Sequence, residues 1–117
     1  MKRFFTPILA AFILIAFAGI ALAQAEGQKV TVAEAIARAD GSLVVITGYV
    51  VEDLGSRKYM FEDTTGRIEV HVGFFDGSIN RQLRALQPTD LVEIFGDVHD
   101  EGRRNPIHVH VKTVTRL

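Results

Sequence analysis

The 117-residue chain has no cysteine and no tryptophan, and only three prolines. Without cysteine no disulfide framework is available, so stability must come from an ordinary apolar core. No Pro/Gly-rich linker, internal repeat or low-complexity tract interrupts the text, which argues against a second domain. No excess of positive charge is present either: 13 basic residues stand against 14 acidic ones. That balance does not suit a nucleic-acid binder, whose affinity is built largely on neutralised phosphates. Also missing are a Gly-rich phosphate loop and any Ser/His/Asp spacing that marks nucleophilic catalysis. No enzyme activity and no cofactor are expected.

What the chain does have begins with "MKRFFTPILAAFILIAFAGIALAQAEG". Lys2 and Arg3 form a charged start, Ile8 to Leu22 an apolar run, and Ala21 and Ala23 put small residues where a signal peptidase reads. The expectation is a secretory signal over residues 1–23 and export. A permanent anchor is the rival, since the uncharged run from Phe4 to Ala25 is roughly long enough to span a bilayer. It does not need the Ala-x-Ala ending. Cleavage leaves residues 24–117 as one small domain with 11 basic and 14 acidic residues, a charge of −3, and no stable membrane insertion.

The remaining text is mostly of period two. A short helix comes first: "TVAEAIARAD" sets Val32, Ala35, Ile36 and Ala39 on one stripe, with Thr31 and Glu34 as a capping box. Strands follow in "LVVITGYVVEDL", with Gly48 at a bend, "KYMFED", and "RIEVHVGF", where Ile68, Val70 and Val72 alternate with Arg67, Glu69 and His71. "DGSINRQLRALQPTD" changes to helical spacing through Ile79, Leu83 and Leu86, with Ser78 as cap and Pro88 as stop. "LVEIFGDV" and "IHVHVKTV" close the chain as strands. Five strands with a helix between the third and fourth spell a mainly β protein, a five-stranded OB-fold Greek-key barrel preceded by a short N-terminal helix.

Several residues carry a more specific likeness. Gly48, the string Tyr59, Phe61, Asp63, Thr65 and Gly66, the alternation Ile68, Val70, Val72, and the run Val92, Ile94, Gly96, Val98 resemble the bacterial OB-fold (BOF) family of small exported proteins. The resemblance covers almost all of residues 24–117. It implies a monomeric, non-catalytic barrel in the periplasm that binds a small ligand or an envelope component and is linked to stress tolerance. Two departures fall where a ligand would touch. The family tends to have tryptophan where this chain has Phe74 and Phe75, and more acid where it has His99, Arg103 and Arg104.

Two groups of side chains are candidates for binding. Arg57 and Lys58 follow the first strand, Arg103 and Arg104 follow the fourth, and these loops flank the usual binding face of this fold. With Arg67 and His71 on the third strand they define a positive rim suited to a small anionic ligand, because arginine forks match carboxylate and phosphate. The bland alternative is that loops collect charge, and Glu52, Asp53, Asp100 and Glu101 lie near enough to neutralise it. Tyr59 and Phe61 are expected in the core rather than as base-stacking platforms. The second group is histidine. His108 and His110 share one face of the last strand, and the third strand is its neighbour in this topology. His71 with Glu69 is thereby brought toward them, a set that suits Zn²⁺ or Cu²⁺. The alternatives are a strand with a polar outer face and no metal, and a purely structural or protein-interaction module.

Overall fold

Alternation in the sequence becomes alternation in space. The computed structural model describes residues 27–117, so the expected signal peptide over residues 1–23 lies outside it. The elements run β1 (Gln28–Lys29), α1 (Val32–Ile36), β2 (Leu43–Gly55), β3 (Lys58–Asp63), β4 (Gly66–His71), α2 (Gly77–Arg84), β5 (Val92–His99) and β6 (His108–Arg116). Sheet order is β1-β2-β3-β4-β6-β5, and β5 also pairs with β2. The last pairing closes β2, β3, β4, β6 and β5 into a five-stranded barrel. All its pairings are antiparallel except β4 with β6.

Within the barrel β2 serves two neighbours, β5 through Leu43–Gly48 and β3 beyond it. A Cβ at Gly48 would run into the Glu62 carbonyl oxygen and the Phe61 ring, so the bend needs glycine here. One apolar core fills the barrel. Tyr59 and Phe61 are buried in it with Val44, Ile46, Ile68, Val70, Ile94, Val98, Val109 and Val111. Facing inward, neither aromatic ring is available as an outer stacking surface.

A bulge sets the phase of β6. Phe95 faces Thr113 while Gly96 faces Val111, which leaves Lys112 as the extra residue. Val109, Val111 and Val114 all reach the core despite the odd step from 111 to 114. A Cβ on Gly96 would strike the His110 carbonyl oxygen, so glycine permits the close approach that the bulge requires.

The capping box forms as expected, with Thr31 Oγ1 accepting from the Glu34 N–H and Glu34 Oε1 from the Thr31 N–H. The helix itself is shorter than its apolar stripe suggested: it stops at Ile36, and Ala39 is exposed. The chain must leave the helix there to join β5, where the Gly41 N–H donates to the Val98 carbonyl at 2.7 Å. Asp63 fastens α1 to the β3–β4 turn. Its carboxylate accepts from the Val32 N–H at 2.9 Å, the Thr65 N–H at 2.7 Å and the Gly66 N–H at 3.2 Å.

Two further features differ from the sequence expectation. β1 is a two-residue parallel addition beside Val44 and Val45, too short to leave a periodic signal. At α2 the N-cap is Asp76, without a side-chain capping bond, and not Ser78, which lies inside the helix. Leu83 is buried, and Ile79 and Leu86 also pack on the core, so α2 covers one end of the barrel. Among the described residues no helix is long and apolar enough to cross a membrane.

Candidate functional site

The outer face of β4, β6 and β5 carries six ionisable side chains in two rows. Register sets Glu69 beside His108 and His108 beside His99; one step along, His71 lies beside His110 and His110 beside Asp97. All four histidines of the protein are in this patch. Alternation produces it: Val70, Val98 and Val109, at 0% exposure, take the inner positions between them.

Hydrogen bonds orient three of the four rings. His71 Nε2 meets Glu69 Oε1 at 3.0 Å and His99 Nε2 meets Asp97 Oδ2 at 2.7 Å, while His108 Nδ1 meets the Pro106 carbonyl at 3.0 Å. A carbonyl only accepts, so His108 Nδ1 carries the proton and its Nε2 lone pair is free when the ring is neutral. Asp97 Oδ1 is buried without a hydrogen-bond partner, and His110 Nδ1 lies 3.8 Å from it. Burial holds the His71 pKa below its ordinary value, against the opposing pull of Glu69.

The third strand does bring His71 to the last one, but in a particular way. The His71 and His108 rings stack with centroids 3.7 Å apart and planes 14° apart. Nitrogen lone pairs lie in the ring plane, so two parallel stacked rings do not converge on one ion. The set expected from sequence, His71 with His108 and His110, is therefore not the one whose donor atoms gather. Among the described residues the gathered set is His99, Glu101 and His108, with one donor atom from each lying within 4.8 Å of the others.

The expected cations divide between the two ends of the face. Lys58 pairs with His71 at one end of β4, and Arg67 lies four residues back toward the β3–β4 turn, about 13 Å along the strand. There Arg67 Nε contacts Glu62 Oε1 at 3.3 Å. Arg103 and Arg104 are exposed in the β5–β6 loop, and because β6 runs parallel to β4 that loop leaves toward the Arg67 end. Arg57 is at the other end, in the β2–β3 turn. It does not form one continuous rim with Arg103 and Arg104.

Arg57 does have company that the sequence did not reveal. A pocket of about 240 Å³ lies between the β2–β3 turn and α2, and Arg57 and Arg84 both line it, with Asp53, Tyr59 and Asn80. Tyr59 donates its phenolic hydrogen to Asn80 Oδ1, and burial raises its pKa, so it remains a donor. Ser56 and Arg57 have φ of 52° and 60°, the left-handed values of a two-residue hairpin turn usually filled by Asn-Gly. The guanidinium of Arg57 lies 5.1 Å from the centre of the exposed Phe74 ring. Arg84 belongs to a helix whose pattern reads as a core plug, and nothing local in the sequence couples it to a turn 27 residues earlier.

Comparison with known proteins gives a family and a fold. None of the curated proteins matches the chain. Among solved structures, the hypothetical protein ygiW from E. coli is similar at 27% identity and a TM-score of 0.63, covering 78% of this chain and 91% of that one. The telomere capping protein Ten1 from Saccharomyces pombe is similar in fold at 14% identity and a TM-score of 0.56, over 77% of this chain and 80% of that one. Asparaginyl-tRNA synthetase from Pyrococcus horikoshii has a similar region, at 22% identity and a TM-score of 0.60, over 77% of this chain and 23% of the synthetase. The last two likenesses concern fold alone. The family profile described as "Bacterial OB fold (BOF) protein" matches residues 17–116, and the chain belongs to that family.

Proposed function

We propose that the protein is an exported, non-catalytic binding module of the periplasm, linked to stress tolerance, that takes a small anionic ligand or an anionic envelope component. The observation that carries this reading is the pocket at the β2–β3 turn, where Arg57 and Arg84 face a common space beside the phenol of Tyr59. Two guanidinium groups are donors suited to carboxylate or phosphate, and the Tyr59 phenol, whose hydrogen goes to Asn80 Oδ1, holds the wall between them. Backbone cost adds to the argument. A non-glycine residue in the left-handed region costs about 1 kcal/mol or more, and the turn accepts this twice in order to present Arg57. Asp53 in the same wall sets a limit on the ligand, favouring one that leaves room for a carboxylate or donates to it.

Reading the protein as a binder rather than an enzyme rests on the absence of a nucleophile motif in the sequence. Among the described residues the hydrogen-bonded imidazoles meet only carboxylates and a carbonyl. The apolar start of the chain supports export, and the negative balance of charge opposes a nucleic-acid partner. We read the module as a monomer.

The test is native mass spectrometry of untagged protein recovered from the periplasm, followed by ligand-observed NMR with a panel of small carboxylates and phosphates. Binding of at least one anion that is lost in both Arg57→Ala and Arg84→Ala is expected. Binding unaffected by either substitution, or recovery of the uncleaved chain in the cytoplasm, would remove the proposal.

A further inference from the structure

The histidine face shares no residue with the pocket at the β2–β3 turn and supports a separate function. Imidazoles on an exposed sheet face ordinarily point their nitrogens at water. Here three of them have one nitrogen committed to an acceptor and the other left over, and two of these, His99 and His108, belong to the gathered donor set. Metal-bound histidine almost always donates its second N–H to a carboxylate or a backbone carbonyl, which fixes tautomer and ring plane. His99 does this through Nε2 to Asp97, and His108 through Nδ1 to Pro106. What remains is Nδ1 on His99 and Nε2 on His108.

Glu101 supplies the third donor from the loop just beyond His99. One of its oxygens, Oε2, accepts from the Asn105 side chain at 2.6 Å, which leaves Oε1 without a partner. One donor atom from each of the three residues lies within 4.8 Å of the other two, looser than a filled shell, since bonds of about 2.0–2.1 Å set tetrahedral ligands roughly 3.3 Å apart. The difference is one that side-chain rotation closes, because Glu101 is exposed and sits in a loop, while His108 is held in place at 5% exposure.

The surroundings favour a cation. Asp97 backs His99 through Oδ2, and its buried Oδ1, with His110 Nδ1 3.8 Å away, adds negative charge behind that ring. On the other side of His108 the His71 ring stacks and shields it from water. One carboxylate in contact with the ion and one behind His99 together balance a charge of two. We propose that His99 through Nδ1, His108 through Nε2 and Glu101 through a carboxylate oxygen form a site for a divalent transition-metal ion of the Zn²⁺ and Cu²⁺ class, with the fourth position open to water or an outside ligand. Two imidazoles and a carboxylate suit these ions and not Mg²⁺ or Ca²⁺, which favour all-oxygen shells.

The test uses untagged protein, because a histidine tag would itself bind, with Zn²⁺ alone as the first probe and Cu²⁺ alone as the second. Zn²⁺ at a hundred times its dissociation constant is expected to raise the melting temperature by roughly 10 °C or more, with one ion per chain. Cu²⁺ should show superhyperfine coupling to two nitrogens by electron paramagnetic resonance. His99→Ala and Glu101→Gln alter exposed or half-exposed positions and keep the fold measurable, so they carry the mutational test in place of the buried His108. Each should weaken binding by at least about tenfold, and Asp97→Asn by about 10-fold to 100-fold through loss of orientation. His110→Ala and Arg57→Ala should leave the titration unchanged, and the Arg57 variant separates this site from the anion pocket. No melting shift at millimolar Zn²⁺, undiminished binding in His99→Ala, or loss confined to His110→Ala would each overturn the assignment.

Discussion

Asp63 is the side chain whose removal should cost most for its size. Its carboxylate accepts from the Val32, Thr65 and Gly66 N–H groups and from Thr65 Oγ1, tying a helix start to a hairpin turn 31 residues away. In Asp63→Ala the Thr65 and Gly66 groups regain water, but Val32 is at 0% exposure and its N–H is left without an acceptor. An orphaned buried donor costs about 1–3 kcal/mol and loss of the turn's side-chain bonds about 1 kcal/mol, so about 2–4 kcal/mol is expected. For a domain of this size that lowers the melting temperature by roughly 10–25 °C. Urea titration should show the midpoint falling with the slope unchanged. The pH dependence provides a second check. Burial pushes the Asp63 pKa up, but the hydrogen bonds from Thr65, Val32 and Gly66 outweigh it and hold the group below its ordinary 3.8. Its stabilisation is therefore complete above the unfolded value and is lost as pH falls through the lower folded one. The stability gap between wild type and Asp63→Asn should be constant at neutral pH and shrink only in strong acid. A loss below about 1 kcal/mol in Asp63→Ala, or a gap that closes already near pH 6, would refute the reasoning.

Two other substitutions probe the backbone on which the sites depend. Gly96→Ala places a methyl group against the His110 carbonyl and the Val109 side chain, and should destabilise by at least about 2 kcal/mol in a thermal melt while weakening Zn²⁺ binding through the displaced β6. Replacing Ser56 and Arg57 together by Asn-Gly puts glycine at one left-handed position and asparagine, which tolerates that region, at the other, so stability should rise by about 1 kcal/mol while anion binding is lost, a trade visible by pairing a urea titration with ligand-observed NMR.

How much of this was legible depended on whether a feature is local. The strands, the glycine at the bend, the capping box of Thr31 and Glu34 and the inward aromatics Tyr59 and Phe61 follow from period, propensity and neighbours within a few residues. Ala39 and Ser78 misled for the same reason: a stripe and a capping residue are local signs, and the pairing of Gly41 with Val98 and the start of α2 at Gly77 overrode them. The pocket joins Arg57 to Arg84 through the packing of α2 on the barrel end, which no spacing encodes. The odd step from Val111 to Val114 was a readable sign of the bulge, since a strand that must return its third valine to the core has to gain a residue.

The histidine face lies between these cases. Topology alone brings β4 beside β6, so proximity of His71 to His108 followed from the order of elements. Ring orientation did not follow, because stacking depends on side-chain torsions and on the acceptors Glu69 and Pro106 that hold each ring. His99 entered the set by a different route. β5 joins β6 across the bulge, and only the register beyond it decides whether His99 meets His108 or its neighbour Val109. A shift of one residue would turn His108 and His110 inward and their valines out. The extra residue at Lys112 absorbs that shift at the far end of β6, leaving the first half of the strand in phase with β4 and β5 together. The bulge thus lets one strand line the core along its whole length while its histidines stay aligned with both neighbours, and the proposed ion site depends on it as directly as on its ligands.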